Sequence, residues 1–247
     1  MNILKNILGR IFAAWALLTF ILTMLVILLP AWAMGLFPEP KRTTYFIKLS
    51  RLWMAVWLPL AGIRLVVKGK EHFKKGENYV VVCNHNSFMD VPVTSPGIPG
   101  GNKTIAKSEL SKIPLFGIIY RRGSVLVDRK SEESRKKSYA YMKRVLAMGL
   151  HMCIYPEGTR NKTNAPLKEF KDGAFRLAIE TQKQVIPAVL FNTKKVLPQH
   201  KPFFFWPGKI EMHFLPPVTV DAYAQDQSKE LKEKVFRLMW DFIESRA

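Results

Sequence analysis

Cysteine is scarce in this chain, which has only two, Cys83 and Cys153, among its 247 residues. Both lie inside apolar runs, and neither belongs to a Cys-x-x-Cys or cysteine–histidine pattern spaced for a metal. These absences exclude a disulfide framework and a thiolate metal site. We interpret both residues as small buried side chains in a reducing compartment, with a reactive thiol as the alternative.

Acidic residues are also scarce, since 19 aspartates and glutamates accompany 38 lysines and arginines, for a formal net charge of +19. So large a surplus predicts an anionic partner, which is nucleic acid, anionic lipid or a phosphorylated substrate. The sequence shows no internal repeat, low-complexity tract or flexible interdomain linker. Its length is sufficient for one domain with a sizeable core and a short appendage.

Charge is absent from residues 11–37, a run of 27 mainly apolar residues. A helix of that length extends about 40 Å, enough to cross a hydrocarbon layer of about 30 Å. A secretory signal peptide is the alternative, because Lys5 and Arg10 precede the run and Ala31-Trp32-Ala33 lies near its end. The run is longer than the apolar part of such a signal, so we predict a membrane segment.

The mode of insertion stays open from the sequence. Pro30 interrupts the run, and a second apolar stretch, residues 52–63, is too short to span. A helical hairpin that enters one leaflet is therefore an alternative to a full span. We expect residues 1–63 to form a membrane anchor of one long and one short apolar helix. Basic residues after the segment mildly favour a cytoplasmic position for the domain that follows it, and we expect the membrane to be the cell inner membrane.

From residue 64 onward, short apolar runs alternate with polar, helix-prone stretches. This alternation is typical of an α/β domain. We predict one domain over residues 64–247, with a mixed, largely parallel β-sheet flanked by helices. The predicted strands cover residues 64–68, 79–83, 103–106, 124–127, 152–155, 185–190 and 209–214. The predicted helices cover residues 132–147, 174–181 and 229–244.

The first candidate for catalytic residues is the heptapeptide Asn84-His85-Asn86-Ser87-Phe88-Met89-Asp90, which directly follows an apolar run. Residues five apart on a helix point about 140° away from each other, so His85 and Asp90 meet only if His85 precedes any regular helix. A carboxylate on one ring nitrogen leaves the other nitrogen free to accept a proton. The pair is a candidate general base with its orienting partner, and a simple turn cap is the alternative.

Three further motifs lie in or after predicted strands. They are Gly123-Ser124-Val125-Leu126-Val127-Asp128-Arg129, preceded by Arg121 and Arg122, then Tyr155-Pro156-Glu157-Gly158-Thr159-Arg160, and Val185-Ile186-Pro187-Ala188. Pro187 inside a strand predicts an edge strand or a bulge. Planar arginine forks match phosphate oxygens, and Gly158 allows backbone amides to approach the same anion. A phosphorylated acceptor beside the His/Asp pair is therefore predicted, with surface ion pairs as the alternative for each arginine.

The four motifs, in this order, resemble those of the glycerophospholipid acyltransferase family, and most of all its bacterial 1-acyl-sn-glycerol-3-phosphate acyltransferases. The resemblance covers roughly residues 64–220, with supporting matches at residues 106–117 and 170–175. Tyr155 and Asn161 depart from the family pattern, in which phenylalanine and serine are more frequent at these positions.

The resemblance implies that His85 is the general base on the free hydroxyl of a lysophospholipid and that Asp90 orients it. The hydroxyl oxygen then attacks an acyl thioester, carried by acyl carrier protein or coenzyme A, without a covalent acyl-enzyme. The implied acceptor-binding residues are Arg129, Glu157, Gly158, Arg160 and Lys107, with Arg160 and Lys107 on the phosphate. Glu157 is expected to orient an arginine or the glycerol hydroxyl. No cofactor and no metal are implied.

The implied partners are membrane lipids, namely lysophosphatidic acid and anionic phospholipid, and not nucleic acid. Another lysophospholipid or a lyso-aminolipid is the alternative acceptor. Alternatives from other classes are a membrane-anchored nucleic-acid-binding protein and a catalytically silent lipid-binding scaffold, which the presence of both His85 and Asp90 disfavours. The aromatic loop at residues 202–207 is a candidate contact at the headgroup level, with packing on its own domain as the alternative.

Overall fold

A computed structural model describes residues 3–246, so residues 1, 2 and 247 of the predicted units lie outside it. The strands of this part of the chain are β1 (Ile63–Lys68), β2 (Val80–Cys83), β3 (Asn102–Lys107), β4 (Ser124–Val127), β5 (His151–Ile154), β6 (Val185–Phe191) and β7 (Gly208–Phe214). They form one sheet in the order β1-β7-β6-β2-β5-β3-β4. Neighbouring strands pair parallel, except that β6 and β7 pair antiparallel. The predicted single α/β domain with a mixed, largely parallel sheet is confirmed.

The helices are α1 (Ile3–Ala33), α2 (Lys41–Leu60), α3 (Asp90–Gly97), α4 (Phe116–Gly123), α5 (Glu132–Ala147), α6 (Gly173–Glu180), α7 (Thr193–Val196) and α8 (Ser228–Glu244). The three predicted helices of the domain correspond to α5, α6 and α8, with ends that agree within one residue. The short helices α3, α4 and α7 were not predicted. Helix α3 has proline at positions 92 and 96, so its composition gave little helical signal.

Helices cover both faces of the sheet. In β2, Val80 and Val82 belong to the core cluster that contains buried residues of α5, α6 and α8, whereas Val81 and Cys83 belong to the cluster that contains buried residues of α1, α2 and α3. Alternate residues of a strand point to opposite faces, so a strand buried on both sides has a continuous apolar run. This explains why the central strands were recognised as unbroken apolar runs.

Both cysteines are buried and free. Their Sγ atoms lie 3.9 Å apart in the core beneath α1 and α2. Burial raises the pKa of the Cys83 thiol, and a thiol that stays protonated is a poor nucleophile. The interpretation of both residues as small buried side chains is confirmed.

The expectation that Pro187 marks an edge strand or a bulge was wrong, because its strand pairs with both neighbours in continuous register. Its strand, β6, lies inside the sheet between β2 and β7. The carbonyl of Pro187 accepts a hydrogen bond from Leu215 N at 2.8 Å, just beyond the end of β7 at Phe214. Since proline has no N–H to return that bond, its position where the β6–β7 ladder ends costs the sheet little.

The second apolar helix is longer than predicted, because α2 begins at Lys41 rather than near residue 52. Its amino-terminal half is polar, so apolar composition alone did not indicate it. Arg51 in this half donates hydrogen bonds to three carbonyl oxygens, those of Pro96, Ile98 and Gly100. These contacts attach the polar half of α2 to the catalytic domain.

Helix α1 has a narrow packed side and a broad apolar side that faces outward. Its buried positions are mostly small residues, including Gly9, Ala13, Ala16 and Ala31, whereas Leu, Ile, Val and Trp side chains are exposed on the remaining surface. Of residues 3–246, the stretch Ile3–Leu36 is long and apolar enough, by length and composition, to cross a membrane.

The domain contacts α1 near both of its ends. At the first end, the aromatic loop at residues 202–207 reaches the helix, and Phe205 N donates to Gly9 O at 3.0 Å. At the other end, the Arg122 guanidinium donates to the carbonyls of Ala31 and Trp32 at 3.4 and 3.3 Å. Phe204 and Phe205 are buried, so most of the loop packs on its own protein, while Phe203 remains exposed.

Candidate active site

The motif residues come together because they follow four neighbouring parallel strands. In the sheet, β2, β5, β3 and β4 are adjacent and run in the same direction, so their carboxyl ends lie along one edge. His85 follows β2, the turn with Glu157 and Arg160 follows β5, Lys107 ends β3, and Arg129 follows β4. At about 4.8 Å between strands, this row is about 15 Å wide. Strand ends of this kind are where open α/β sheets place their sites.

His85 and Asp90 are in direct contact. The Nδ1 atom of His85 lies 2.8 Å from Asp90 Oδ2, the carboxylate is fully buried, and the imidazole is 19% exposed. A carboxylate only accepts hydrogen bonds, so Nδ1 carries the proton and Nε2 is the acceptor. No hydrogen-bond partner of Nε2 occurs among residues 3–246. The arrangement is that of a general base with one fixed tautomer and a reachable free nitrogen.

The backbone around the pair is held by Asp90 itself. Its Oδ2 atom also accepts hydrogen bonds from the backbone N–H groups of Asn86 at 2.6 Å and Ser87 at 2.7 Å. Asp90 is the first residue of α3, where the helix dipole favours negative charge. On its other side, the His85 ring stacks on Tyr155, with centroids 4.4 Å apart. The imidazole is therefore fixed by a carboxylate at one nitrogen and by an aromatic ring on one face.

Glu157 accepts hydrogen bonds from two backbone N–H groups. One carboxylate oxygen accepts the backbone N–H of His85 at 2.6 Å, and the other accepts that of Lys168 at 3.0 Å. The residue is only 3% exposed. Burial raises the pKa of Glu157, and the two N–H donors oppose that shift. The side chain thus holds the His85 loop against the turn after β5, and no arginine of residues 3–246 forms an ion pair with it.

Replacing Glu157 by glutamine is expected to lower the thermal unfolding temperature. Glutamine keeps the shape but turns one acceptor oxygen into an NH₂ donor that faces a backbone N–H. Leaving one buried partner unsatisfied costs about 1–3 kcal/mol, which for a chain of this size corresponds to about 3–10 °C. Glu169→Gln, at an exposed glutamate twelve residues away in sequence, is the matched control. Equal unfolding temperatures for the two variants, measured by calorimetry, would contradict this assignment.

The predicted phosphate-binding residues are basic groups around the same edge. Arg129 is exposed, and its Nη1 atom donates to the carbonyl of Gly158. Gly158 has φ +72°, a left-handed conformation that glycine adopts without strain. The Arg160 guanidinium stacks on the Phe88 ring. Lys107 is exposed at the end of β3, and its ammonium group makes no contact with a residue between 3 and 246 that would neutralise it.

Several residues that hold this site were not predicted as site residues. Gln199 donates from Nε2 to the carbonyls of Asn86 at 2.5 Å and Asn161 at 3.1 Å. Asn161 N donates to His85 O at 2.6 Å, and Ser87 Oγ donates to Leu197 O at 2.7 Å. These bonds join the loop of residues 84–89, here called the catalytic loop because it carries the candidate base, to the turn after β5 and to the segment after α7. No local pattern marks Gln199, because its partners lie 113 and 38 residues away in sequence.

Asn84 sets the point at which the chain leaves β2. Its side chain donates to Leu190 O at 3.1 Å and accepts from Leu190 N at 2.7 Å, so it pairs with β6 as a further strand residue would. His85 is consequently the first residue free of the sheet. Among residues 3–246, no group of three or more His, Cys, Asp or Glu side chains is placed to hold a metal ion.

Comparison with known proteins agrees with the motifs. A family model described as Acyltransferase matches residues 64–190. The 1-acyl-sn-glycerol-3-phosphate acyltransferase alpha of Mus musculus is 31% identical over 191 residues, which are 76% of this chain and 67% of the mouse protein. The 1-acyl-sn-glycerol-3-phosphate acyltransferase of Haemophilus influenzae is 28% identical over 193 residues, which cover 76% and 77% of the two chains.

A solved structure has the same fold over nearly the whole chain. The crystal structure of the 1-acyl-sn-glycerophosphate (LPA) acyltransferase PlsC from Thermotoga maritima superposes with a TM-score of 0.80 at 23% identity. The match covers 98% of this chain and 97% of that one, so it includes the amino-terminal helices. The family model, the curated relatives and the fold agree, and the chain belongs to the acyltransferase family and is an enzyme.

Proposed function

We propose that this enzyme transfers an acyl chain from an acyl thioester to the sn-2 hydroxyl of 1-acyl-sn-glycerol-3-phosphate, which gives phosphatidic acid. The observation that carries the proposal is the His85–Asp90 pair, 2.8 Å apart, on a strand end whose neighbours present Arg160, Lys107 and Arg129. The names of the relatives, each a 1-acyl-sn-glycerol-3-phosphate acyltransferase, support the same acceptor.

The chemistry needs only groups of the chain and its two substrates. His85 Nε2 takes the proton of the acceptor hydroxyl while the hydroxyl oxygen attacks the thioester carbonyl carbon. The carbon–sulfur bond then breaks, and the leaving thiolate takes the proton back from the imidazolium. The products are an ester and a free thiol. Asp90 favours the imidazolium that forms between these steps, because its charge is buried against Nδ1.

The acceptor phosphate fits the basic side of the site. A phosphomonoester carries close to two negative charges at neutral pH and offers several acceptor oxygens. Arg160 is suited to paired hydrogen bonds with two of them, and Lys107 supplies a compact positive charge from the adjacent strand end. Arg129, whose guanidinium also touches Gly158, extends the basic edge. Gly158 allows the left-handed turn after β5. Glu157 accepts a hydrogen bond from the backbone N–H of His85 and so holds the loop that carries the base.

The membrane anchor is proposed to lie in one leaflet. The contacts of the domain at Gly9 and at Ala31 are 22 residues apart, which is about 33 Å along a helix. A perpendicular span would therefore place the contacting surface of the domain inside the hydrocarbon layer of about 30 Å. If α1 instead follows the domain surface, its outward apolar side enters lipid and the active site stays at the headgroups. The basic charge of the domain supports an inner-membrane location facing the cytoplasm.

An acyl-transfer assay over a panel of lysolipids, each with acyl carrier protein and coenzyme A thioesters, tests the acceptor and the donor together. We expect lysophosphatidic acid to give the highest kcat/KM, with lysophosphatidylcholine and lysophosphatidylethanolamine far lower because their phosphates are diesters with one charge. A preferred acceptor that lacks a phosphomonoester would contradict the proposal and favour another lysolipid. The donor with the higher kcat/KM identifies the physiological class of thioester.

Replacing Arg160 by alanine is expected to raise the KM for lysophosphatidic acid about 10- to 100-fold. The estimate follows from the loss of a charge-assisted hydrogen-bonded contact of about 1.5–3 kcal/mol. The donor KM should change little, because the lost contact is to phosphate rather than to the thioester. Arg237→Ala, an exposed arginine on α8 paired with Glu233, is the control. An unchanged acceptor KM would contradict the assignment of Arg160.

A further inference from the structure

Phe88 is an exposed aromatic residue in the middle of the catalytic loop. Its neighbours in sequence, Ser87 and Met89, are 0% and 2% exposed, whereas Phe88 is 60% exposed. A large apolar side chain that is turned away from the core contributes little to folding. It lies between His85 and Asp90 in sequence. A side chain that packs on Phe88 is therefore held close to the catalytic pair.

The Arg160 guanidinium packs on the ring of Phe88. Its Cζ atom lies 3.7 Å from the centroid of the Phe88 ring, a distance at which the planar guanidinium rests on the ring face. No oxygen of residues 3–246 accepts a hydrogen bond from this guanidinium. Contact with the ring face therefore restricts the side chain while all five N–H donors at the guanidinium edge stay available.

An arginine on a long side chain loses rotamer freedom when it binds an anion, and that loss weakens binding. An aromatic platform that restricts the side chain beforehand reduces the loss without occupying a donor. A hydrogen-bonding partner or a carboxylate would hold the arginine equally well but would compete with phosphate. Phenylalanine has no polar atom, so it positions the guanidinium and leaves its charge to the ligand.

We propose that Phe88 is a positioning residue that holds Arg160 ready for the phosphomonoester of the acceptor. The inference rests on the proposed function, because it assigns the ligand of Arg160 to the acceptor phosphate. It also gives the loop of His85 a second task. The loop that carries the general base positions the phosphate ligand, so the acceptor hydroxyl and the acceptor phosphate are located by the same loop, residues 84–89.

The test is a set of kinetic measurements on purified enzyme in phosphatidylcholine vesicles, with lysophosphatidic acid as the varied substrate. Phe88→Leu keeps an apolar side chain for any contact with lipid but removes the aromatic face. We expect it to raise the acceptor KM about fivefold, equivalent to about 1 kcal/mol, with kcat within twofold of the parent and unchanged binding to vesicles. Phe88→Trp, which keeps an aromatic face for the cation, should restore a KM near that of the parent.

The double variant Phe88→Leu with Arg160→Ala separates this role from others. If Phe88 acts through Arg160, its replacement has no further effect on the acceptor KM once the guanidinium is gone. Phe203→Leu is the matched control, since Phe203 is also exposed, at 54%, but lies in the aromatic loop. It should leave the acceptor KM unchanged.

Two results would overturn the inference alone: an unchanged KM in Phe88→Leu while Arg160→Ala raises it, or an equal effect of Phe88→Leu with and without Arg160. The first would mean that the ring does not position the arginine. The second would mean that Phe88 contacts lipid or the acyl chain directly. Failure of Arg160→Ala to raise the KM would instead overturn the proposed acceptor site, and this inference with it.

Discussion

His85→Ala is expected to reduce kcat for acyl transfer by about 10²- to 10⁴-fold while the protein stays folded and bound to membranes. General-base catalysis contributes about 10²–10⁴-fold, and among residues 3–246 no second histidine forms a hydrogen bond or a ring contact with the pair. The imidazole makes one side-chain hydrogen bond and one stacking contact, and it is 19% exposed. Its removal therefore leaves no large buried cavity. Acyl transfer from a thioester to lysophosphatidic acid, followed by thiol release, is the measurement.

His72→Ala is the matched control for this experiment. Strand β1 runs antiparallel to β2, because β1 pairs parallel with β7 and β7 pairs antiparallel with β6. The turn with His72 follows β1 and therefore lies at the end of the sheet opposite His85. The control should keep activity within twofold. If His85→Ala retained activity within tenfold of the parent, the general-base assignment would be wrong.

The contact between His85 and Asp90 was predictable because it depends on a short stretch of chain. The six residues 84–89 between the strand and the helix allow the two side chains to meet, and a regular helix through His85 would not. The helix begins at Asp90, as that argument requires. Helix α5 was predictable for a similar reason. Ser131 caps it by accepting the N–H of Ser134 at 3.1 Å, and two glutamates follow in the first turn.

Contacts between distant segments were not predictable from the residues involved. Glu157 follows a strand beside a turn glycine and an arginine, and this context indicated a role at the substrate. Its hydrogen-bond partners in the structure are the backbone N–H groups of His85 and Lys168, 72 and 11 residues away. The sequence shows a carboxylate, but only the fold decides whether a backbone group or an arginine satisfies it. The role of Gln199 was not predictable for the same reason, because its partners are distant in sequence and no local pattern marks a glutamine as a site residue.

For the membrane anchor, the apolar helix was predictable from the sequence, whereas its contacts with the domain were not. Residues 11–37 have no charge, so their preference for lipid follows from composition alone. The contacts of α1 with Phe205 and Arg122 involve backbone oxygens of the helix, which no hydropathy pattern reveals. These contacts are the reason for proposing a helix along the domain surface rather than a perpendicular span. The mode of insertion was therefore open from the sequence and becomes a specific proposal from the fold.

Asp90→Asn is expected to lower kcat about 10²- to 10⁴-fold without loss of stability. The carboxylate Oδ2 atom accepts three N–H groups, from His85, Asn86 and Ser87. An asparagine carbonyl occupies the same place and accepts the same bonds, so the loop keeps its form. The negative charge that favours the imidazolium is lost, and such a change beside a catalytic histidine is known to cost as much as about 10⁴-fold.

Asp90→Ala distinguishes the charge of this residue from its hydrogen bonds. Alanine leaves two buried backbone N–H groups without their acceptor, at about 1–3 kcal/mol each, so this variant should lose both activity and thermal stability. Asp241→Asn, at an exposed position on α8, is the control for the amide substitution. Asparagine and alanine variants with equal unfolding temperatures would show that the carboxylate does not hold the loop. An asparagine variant within tenfold of the parent in kcat would show that its charge is not needed for catalysis. The expected pattern, inactive but stable for asparagine and inactive and destabilised for alanine, requires that Asp90 does both.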